Sequence, residues 1–505
     1  MNKEKLTMNV LFSGIGCQER GFENSNLFDV KVVNTSEINK EAALSYAAIH
    51  CGLTPEMVDT YADYPSREEM ARQLTEINIG YDPEKNKTYD WYKLSRRKSS
   101  DINKYWLANK LTHNLGDINK IEFLSYADMG TISFCCQDIS VAGKMRGLKP
   151  DSGTRSSLLW ENIRLLKRAK DDGTLPKYLM FENVKNLVSK KFIDDFNNLL
   201  EVLDELGFNS YWKVLNSKDC GVPQNRERVF VISIRKDIDN GTYAFPKPFD
   251  TGIRLKDVLD KEVDEKYYLS NETISRFITT ENSRKAILYD GCQCKREGKS
   301  REYNDFAPSL TTRDYKDPRM INTNVVNQVG NYRPDSNNFS NPQTGRIYSS
   351  DYISPTLNTM QGGDRQPKIL EQNDKLTHSE WKEQMYKQFI KDANGEPSGV
   401  LTNQSQTFGY RPPMKGYSKC LRSEANDTGV VQNFRVRKLT PNECWKLMGL
   451  TEEDCANAKN IGVADSQLYR QSGNGIVTNC VELLAEHLYK AQYNNTYKCT
   501  DENFI

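Results

Sequence analysis

The chain has 505 residues, 37% hydrophobic and 27% charged, enough for two or three domains at roughly 150 residues each. No run approaches the roughly 20 apolar residues of a membrane span, and MNKEKLTMNVLF lacks the apolar core and cleavage site of a signal peptide, so a soluble cytoplasmic protein with no membrane partner is expected. With 69 basic against 68 acidic residues, the net charge of +1 neither demands nor excludes nucleic acid, because a local basic face can be cancelled elsewhere. The 12 cysteines of a chain without export signals fit free thiols, and Cys292-x-Cys294 lacks a second ligand pair, so no metal is expected.

In chain order, MNVLFS, VKVVNTSE, TISFCC, YLMFENV and RVFVISIR read as buried strands rich in Val, Ile and Phe. Between them NKEAALSYAAIH, RSSLLWENIRLLKRAK and FIDDFNNLLEVLDELG carry helical periodicity. Strands alternating with helices predict an α/β fold, a doubly wound, mostly parallel sheet covered on both faces, with ligands at the carboxyl ends of the strands. A polar, helical stretch from about Cys51 to His113 interrupts this order and contains KLSRRKSS. Either it is a solvated insertion, or Arg96, Arg97 and Lys98 contact a DNA backbone.

From about Phe245 to Asn433 helical periodicity fades and Gly, Pro, Asn, Asp and Ser punctuate short β-prone pieces. SREYNDFAPSLTTRDYKDPRMI and TGRIYSSDYISPTLNTMQGGDRQPKIL resemble each other, and GYRPPMKGYSKCLRSEANDTGVV reads as a degraded third copy. Such short, turn-rich repeats predict a small, irregular, mostly β domain. Helical pattern returns in LTPNECWKLMGL and NGIVTNCVELLAEHLYKA.

Chemistry concentrates at the strand ends. In VLFSGIGCQERGF a strand runs into Ser13-Gly14-Ile15-Gly16 and a helix, a turn where glycine lets backbone approach a ligand. Glu37 ends the second strand, where a carboxylate suits the two hydroxyls of a ribose, and Asp117 in GDI is placed to accept from an adenine amino group. Because Gln18 and Glu19 follow Cys17, the full dinucleotide fingerprint is absent, which favours S-adenosylmethionine over NAD. Further on, Cys135-Cys136-Gln137 ends a strand and opens a long polar loop, a candidate lid. Glu182 and Asn183 end another strand, and Gln224, Arg226 and Arg228 enter the next, with both arginines on one strand face by period-2 spacing.

These blocks, in this order, resemble the bacterial C5-cytosine DNA methyltransferases. The resemblance runs from about residue 8 to 245 and again from about 433 to 490, through RKLTPNECWKLMGL and QSGNGIV. It implies a Rossmann-like catalytic domain over 1–245 with an insertion at about 51–113, a target-recognition domain over 246–432, and a segment 433–505 that completes the catalytic domain. It implies Cys136 as nucleophile, Glu182 on N3 and the amino group of the target base, Arg228 on its O2, and Arg226 fixing the site. Phe12, Gly14, Ile15, Gly16, Glu37, Ile38, Asp117 and Ile118 would line the S-adenosylmethionine site, closed by Leu158, Asn474 and Ile476. Gln137, Lys144, Arg146, Lys149 and Arg155 would contact DNA. The expected partner is double-stranded DNA, bound by a monomer in a bacterial or phage-infected cytoplasm, with a cognate restriction endonuclease left open.

Where the family has Pro-Cys-Gln, this chain has Cys135-Cys136-Gln137. Losing the proline removes a fixed φ before the nucleophile and makes Cys135 a formal rival; Gln137 sets the register in favour of Cys136. A tRNA cytosine-5 methyltransferase on the same motif set, with its usually compact recognition region, and an inactive DNA-binding regulator are the alternatives. Adenine-N6 and cytosine-N4 enzymes are disfavoured because no (Asp/Asn/Ser)-Pro-Pro-aromatic block occurs.

Overall fold

The computed structural model describes residues 3–82, 86–97, 101–133, 158–267 and 439–494, together with the backbone of short strands between 278 and 438. The first part alternates β1 (Glu4–Leu11), α1 (Cys17–Asn24), β2 (Phe28–Ser36) and α2 (Lys40–His50), then β3 (Met129–Ile132), α7 (Leu158–Asp171), β4 (Tyr178–Val184), α8 (Ile193–Leu206), β5 (Phe208–Asn216) and β6 (Glu227–Arg235). Helices α3 (Pro55–Thr60), α4 (Arg67–Glu76), α5 (Trp91–Ser95) and α6 (Asp101–Leu111) form the insertion. Four C-terminal helices follow: α9 (Pro441–Lys446), α10 (Glu452–Asn460), α11 (Asp465–Asn474) and α12 (Thr478–Tyr493).

The sheet runs β2-β1-β3-β4-β6-β5. β1 lies parallel to β2 and β3, and β3 parallel to β4, whereas β6 is antiparallel to both β4 and β5. The chain leaves β1 toward β2 and returns past it to β3, so the direction of winding reverses at β1/β3. That reversal opens a crevice beyond the carboxyl ends of the strands, the usual ligand position in open α/β sheets. Strand residues alternate between the two faces, as pleating requires: Tyr178 and Met180 enter one core with α2 and the C-terminal helices, Leu179 and Phe181 the other with α7 and α8.

Local signals explain the element limits. Asn39 Oδ1 accepts from the Glu41 and Ala42 N–H groups at 3.0 and 3.1 Å, starting α2. Gly207 closes α8 in a left-handed conformation, φ 107°. At α9, Thr440 and Glu443 form a reciprocal capping box. β5 escapes the hydrophobic pattern because it is an edge strand, with Trp212 40% exposed and leaning on the Phe196 ring.

The insertion is not a solvated appendage. Met70, Leu74, Ile79, Trp91, Ile102 and Leu107 are buried in the core shared with α2, and Trp91 Nε1 donates to Ile79 O at 2.8 Å. Its polar composition concealed this because the apolar residues are spread over four short helices rather than one long stripe. Arg96 and Arg97 are exposed at the end of α5, and Lys98 lies outside the described residues.

In the turn-rich region each of the first two repeats begins and ends in a short strand. Glu302–Tyr303 and Met320–Ile321 bracket the first, Arg346–Ser349 and Lys368–Gln372 the second, the latter two pairing in parallel. Most of the third copy lies outside the described residues, as do Cys292 and Cys294.

Helix α12 seats on α1 through Gly21, where a Cβ would run into the Val481 side chain and lie 2.9 Å from Thr478 O. Gly21→Ala is therefore expected to destabilise the protein by about 1–3 kcal/mol, the usual range for overpacking. A thermal melt reads this, and an unchanged midpoint would mean that α12 tolerates displacement from α1.

Candidate active site

The crevice is built first from the turn after β1. Phe12, Gly14 and Gly16 all have positive φ, at 53°, 56° and 83°. That is ordinary for glycine but costly for Phe12, a cost that persists where surrounding structure over-determines the backbone. Ser13 N–H donates to Ser36 O at 3.1 Å, tying the turn to the end of β2. Glycine is required at Gly16 because a Cβ would collide with the His50 imidazole. His50 Nε2 sits 3.1 Å from Ile15 O, and its Nδ1 lies 2.7 Å from Glu19 Oε1.

Glu37 follows β2 directly. Its Oε2 accepts from Gly14 N–H at 3.0 Å and its Oε1 from Asn39 N–H at 2.7 Å. Burial pushes this carboxyl above its ordinary range, and the two backbone N–H groups offset part of the effect. Asn114 then fastens Glu37 to the next segment: its Oδ1 accepts from Glu37 N and Gly116 N at 2.9 and 3.0 Å, and its Nδ2 donates to Glu37 O at 2.9 Å. A single parallel bridge between Thr35 and Asn114 extends the sheet here. Asp117 caps the short turn of helix at Ile118–Lys120 and is 8% exposed. Gly14, Glu37 and Asp117, together with Ile38 and Ile118, thus share one connected wall. Asn114, which joins them, carried no signal in the sequence.

The other side of the crevice comes from β4 and β6. Glu182 lies at the carboxyl end of β4, 9% exposed, and Arg228 at the start of β6 places Nε 3.1 Å from Glu182 Oε1. Burial pushes the Glu182 carboxyl up, while Arg228 and then Arg226 oppose it. Asn183 turns back on its own chain, its Oδ1 accepting from Val184 N–H at 2.8 Å.

Arg226 departs from the expected shared strand face. β6 begins at Glu227, and Arg226, just before it, sends Nη2 to Gly473 O and Gly475 O at 3.1 and 2.7 Å. Gln224 Nε2 likewise donates to Leu447 O at 2.7 Å. Both side chains bind the C-terminal segment to the sheet. Gly475 approaches Cys17, its would-be Cβ 3.2 Å from Cys17 Sγ, so Ile476 lies beside the glycine turn, whereas Asn474 at the end of α11 is exposed. Leu158 begins α7 and packs on the core that contains Leu11 and Ile118.

Cys135, Cys136, Gln137, Lys144, Arg146, Lys149 and Arg155 lie outside the described residues. Among the described cysteines, burial raises the Cys17 thiol to about 12, Cys51 to about 11 and Cys455 to about 12, with Cys444 also pushed well up. Thiols held this far above neutrality stay protonated and unreactive.

A winding reversal at β1/β3, a glycine turn with an acidic residue on the neighbouring strand, and a carboxylate–arginine pair beyond it define a Rossmann-like methyltransferase. The family profile of the C-5 cytosine-specific DNA methylases matches residues 94–490. Type II methyltransferase M2.ScrFI of Lactococcus lactis subsp. cremoris is 32% identical over 485 residues, covering 95% of this chain and 98% of that protein. Orphan methyltransferase M.Rho11sI of Bacillus phage rho11s is 28% identical over 577 residues, 97% and 99% of the two chains. Orphan methyltransferase M.SssI of Spiroplasma monobiae is 33% identical over 319 residues, 61% of this chain and 80% of its own. The chain belongs to the C-5 cytosine-specific DNA methylase family and is a DNA cytosine methyltransferase.

The raised carboxyl of Glu182 has a pH signature. A folded-state value above the unfolded one gives stability that is fully present below the unfolded value and lost as pH rises through the folded value. Glu182→Gln does not titrate, so its melting midpoint relative to wild type should climb as pH rises above the ordinary glutamate range of about 4. The slope is the readout, since the unpaired Arg228 shifts all points together; a flat difference would mean that Glu182 titrates as an ordinary carboxyl.

Proposed function

We propose that the protein methylates C5 of a cytosine flipped out of duplex DNA, with S-adenosylmethionine as donor and Cys136 as covalent nucleophile. The observation that carries this reading is the Glu182–Arg228 pair at the end of β4, the strand beside β3, whose chain leads directly to Cys135-Cys136-Gln137. The donor's residues fit the described wall. Space where a Cβ of Gly14 would project is empty to 4 Å. A carboxylate offers about four acceptor positions, and Glu37 fills one on each oxygen with backbone N–H groups, leaving acceptors for a ribose.

When bound, S-adenosylmethionine supplies an electrophilic methyl group on a sulfonium. The protein's task is to make C5 nucleophilic. The Cys136 thiolate adds to C6, forming an S–C6 bond, while Glu182 delivers its proton to N3 and so absorbs the charge moving onto the ring. Burial that raises the Glu182 carboxyl works in the direction a proton donor needs, and Arg228 keeps it from being excessively basic. Arg228 is assigned to the base O2, and Arg226 positions the segment Gly473–Ile476 at the donor site. After methylation a base removes the C5 proton, the C6–S bond breaks to return thiolate, and the N3 proton goes back to Glu182. Flipping costs a few kcal/mol, roughly, offset by contacts in the pocket and from the loop after Gln137.

In this reading residues 246–432 read the target sequence, and Lys144, Arg146, Lys149 and Arg155 contact phosphates as the loop closes over a DNA-bound monomer. A duplex carrying 5-fluorocytosine, whose C5 fluorine cannot leave as a proton, should trap wild-type and Cys135→Ala protein covalently in the presence of donor but not Cys136→Ala. The reverse pattern would move the nucleophile to Cys135; trapping on tRNA but not on duplex would overturn the substrate. Lys144→Ala with Arg146→Ala is expected to weaken duplex binding with little change in the sites found by bisulfite sequencing, since phosphate contacts position rather than specify.

A further inference from the structure

The helical insertion reaches the donor site through its Ile77–Gly80 turn. Gly80 N–H donates to Ile38 O at 2.6 Å, and Ile77 O accepts from Asp117 N–H at 3.0 Å. Gly116, at φ 71°, must be glycine because a Cβ there would strike Ile77 O. Between these contacts stands Asn78, itself left-handed at φ 61°. Its Nδ2 donates to Asp117 Oδ2 at 2.8 Å, and its Oδ1 accepts from the Thr88 hydroxyl, which fixes the amide orientation.

Asp117 Oδ1 accepts from both the backbone and side-chain N–H groups of Asn119, at 3.0 and 2.7 Å. With Asn78 on Oδ2, three of about four acceptor positions of the carboxylate are filled. The remaining one belongs to the oxygen that Asn78 holds. We propose that Asn78, supplied by the insertion and braced by Thr88, is a positioning residue that aims the free lone pair of Asp117 Oδ2 at the donor's adenine amino group. The insertion thereby helps select an adenosine-bearing donor rather than serving only as packing. This inference rests on the reading that Asp117 receives the adenine.

The test is calorimetric binding of S-adenosylhomocysteine and of its analogue with hydrogen replacing the purine 6-amino group, using the full chain. Wild type should prefer the amino-bearing ligand by about tenfold or more, the scale of one hydrogen bond to a charged group. Asn78→Gly removes the amide while accommodating the left-handed backbone, and Thr88→Val removes only the brace. Both should lower the preference, Asn78→Gly to about two- to threefold on the same scale, mainly by weakening the amino-bearing ligand. A merely structural role would weaken both ligands alike and leave their ratio at the wild-type value, which would overturn the proposal. A wild-type protein with no preference would instead overturn the assignment of adenine to Asp117, and the positioning role with it.

Discussion

A carboxylate placed at the end of a buried strand must be supplied with hydrogen-bond donors, or the cost of enclosing its charge would open the fold locally. Glu37, Asp117 and Glu182 all stand at that end of this sheet, and each draws its donors from a different part of the chain. Glu37 takes backbone N–H groups from Gly14 and Asn39, Asp117 takes amides from Asn78 and Asn119, and Glu182 takes the guanidinium of Arg228. Satisfying the three acids brings the glycine turn, the insertion and β6 to one crevice.

The three acids are satisfied in two different ways. Around Glu37 and Asp117 every carboxylate oxygen is tied to a backbone or side-chain amide. Glu182 is instead paired with the Arg228 guanidinium, and burial raises its affinity for a proton. The first arrangement holds its carboxylates through neighbouring N–H groups, the second through a guanidinium. β4 and β6 can offer the second because β6 runs antiparallel to β4, bringing its first residues beside the last residues of β4.

Much of this was legible in the sequence because an acidic residue, a cysteine or an arginine at the end of an apolar strand has few packing reasons to be there. Glu37, Asp117, Glu182 and Arg228 stand out that way, and the apolar runs of β4 and β6 mark buried strands, whereas VKVVNTSE reads as buried but lies in β2, the other edge strand, with only Phe28, Thr35 and Ser36 buried. β5 does not stand out, because an edge strand with an exposed Trp212 carries no such run. Asn114 and Asn78 were invisible for another reason. Their partners, Glu37 and Asp117, lie 77 and 39 positions away, and an asparagine in a polar stretch has no local signature of a long-range bond. Period-2 spacing puts Arg226 on a face with Arg228, yet its acceptors are carbonyls that only the folded C-terminal segment supplies.

Those carbonyls belong to Gly473 and Gly475, separated from Arg226 by 247 and 249 positions. A nascent chain emerging from a ribosome therefore presents a nearly complete sheet long before the groups that finish its crevice have been synthesised. Closing so large a loop carries an entropic cost that grows only slowly with length, so the intervening region can vary in size without forbidding closure. Timing is the larger effect: the crevice is completed only once translation has passed Gly475, after all of the intervening region has been made.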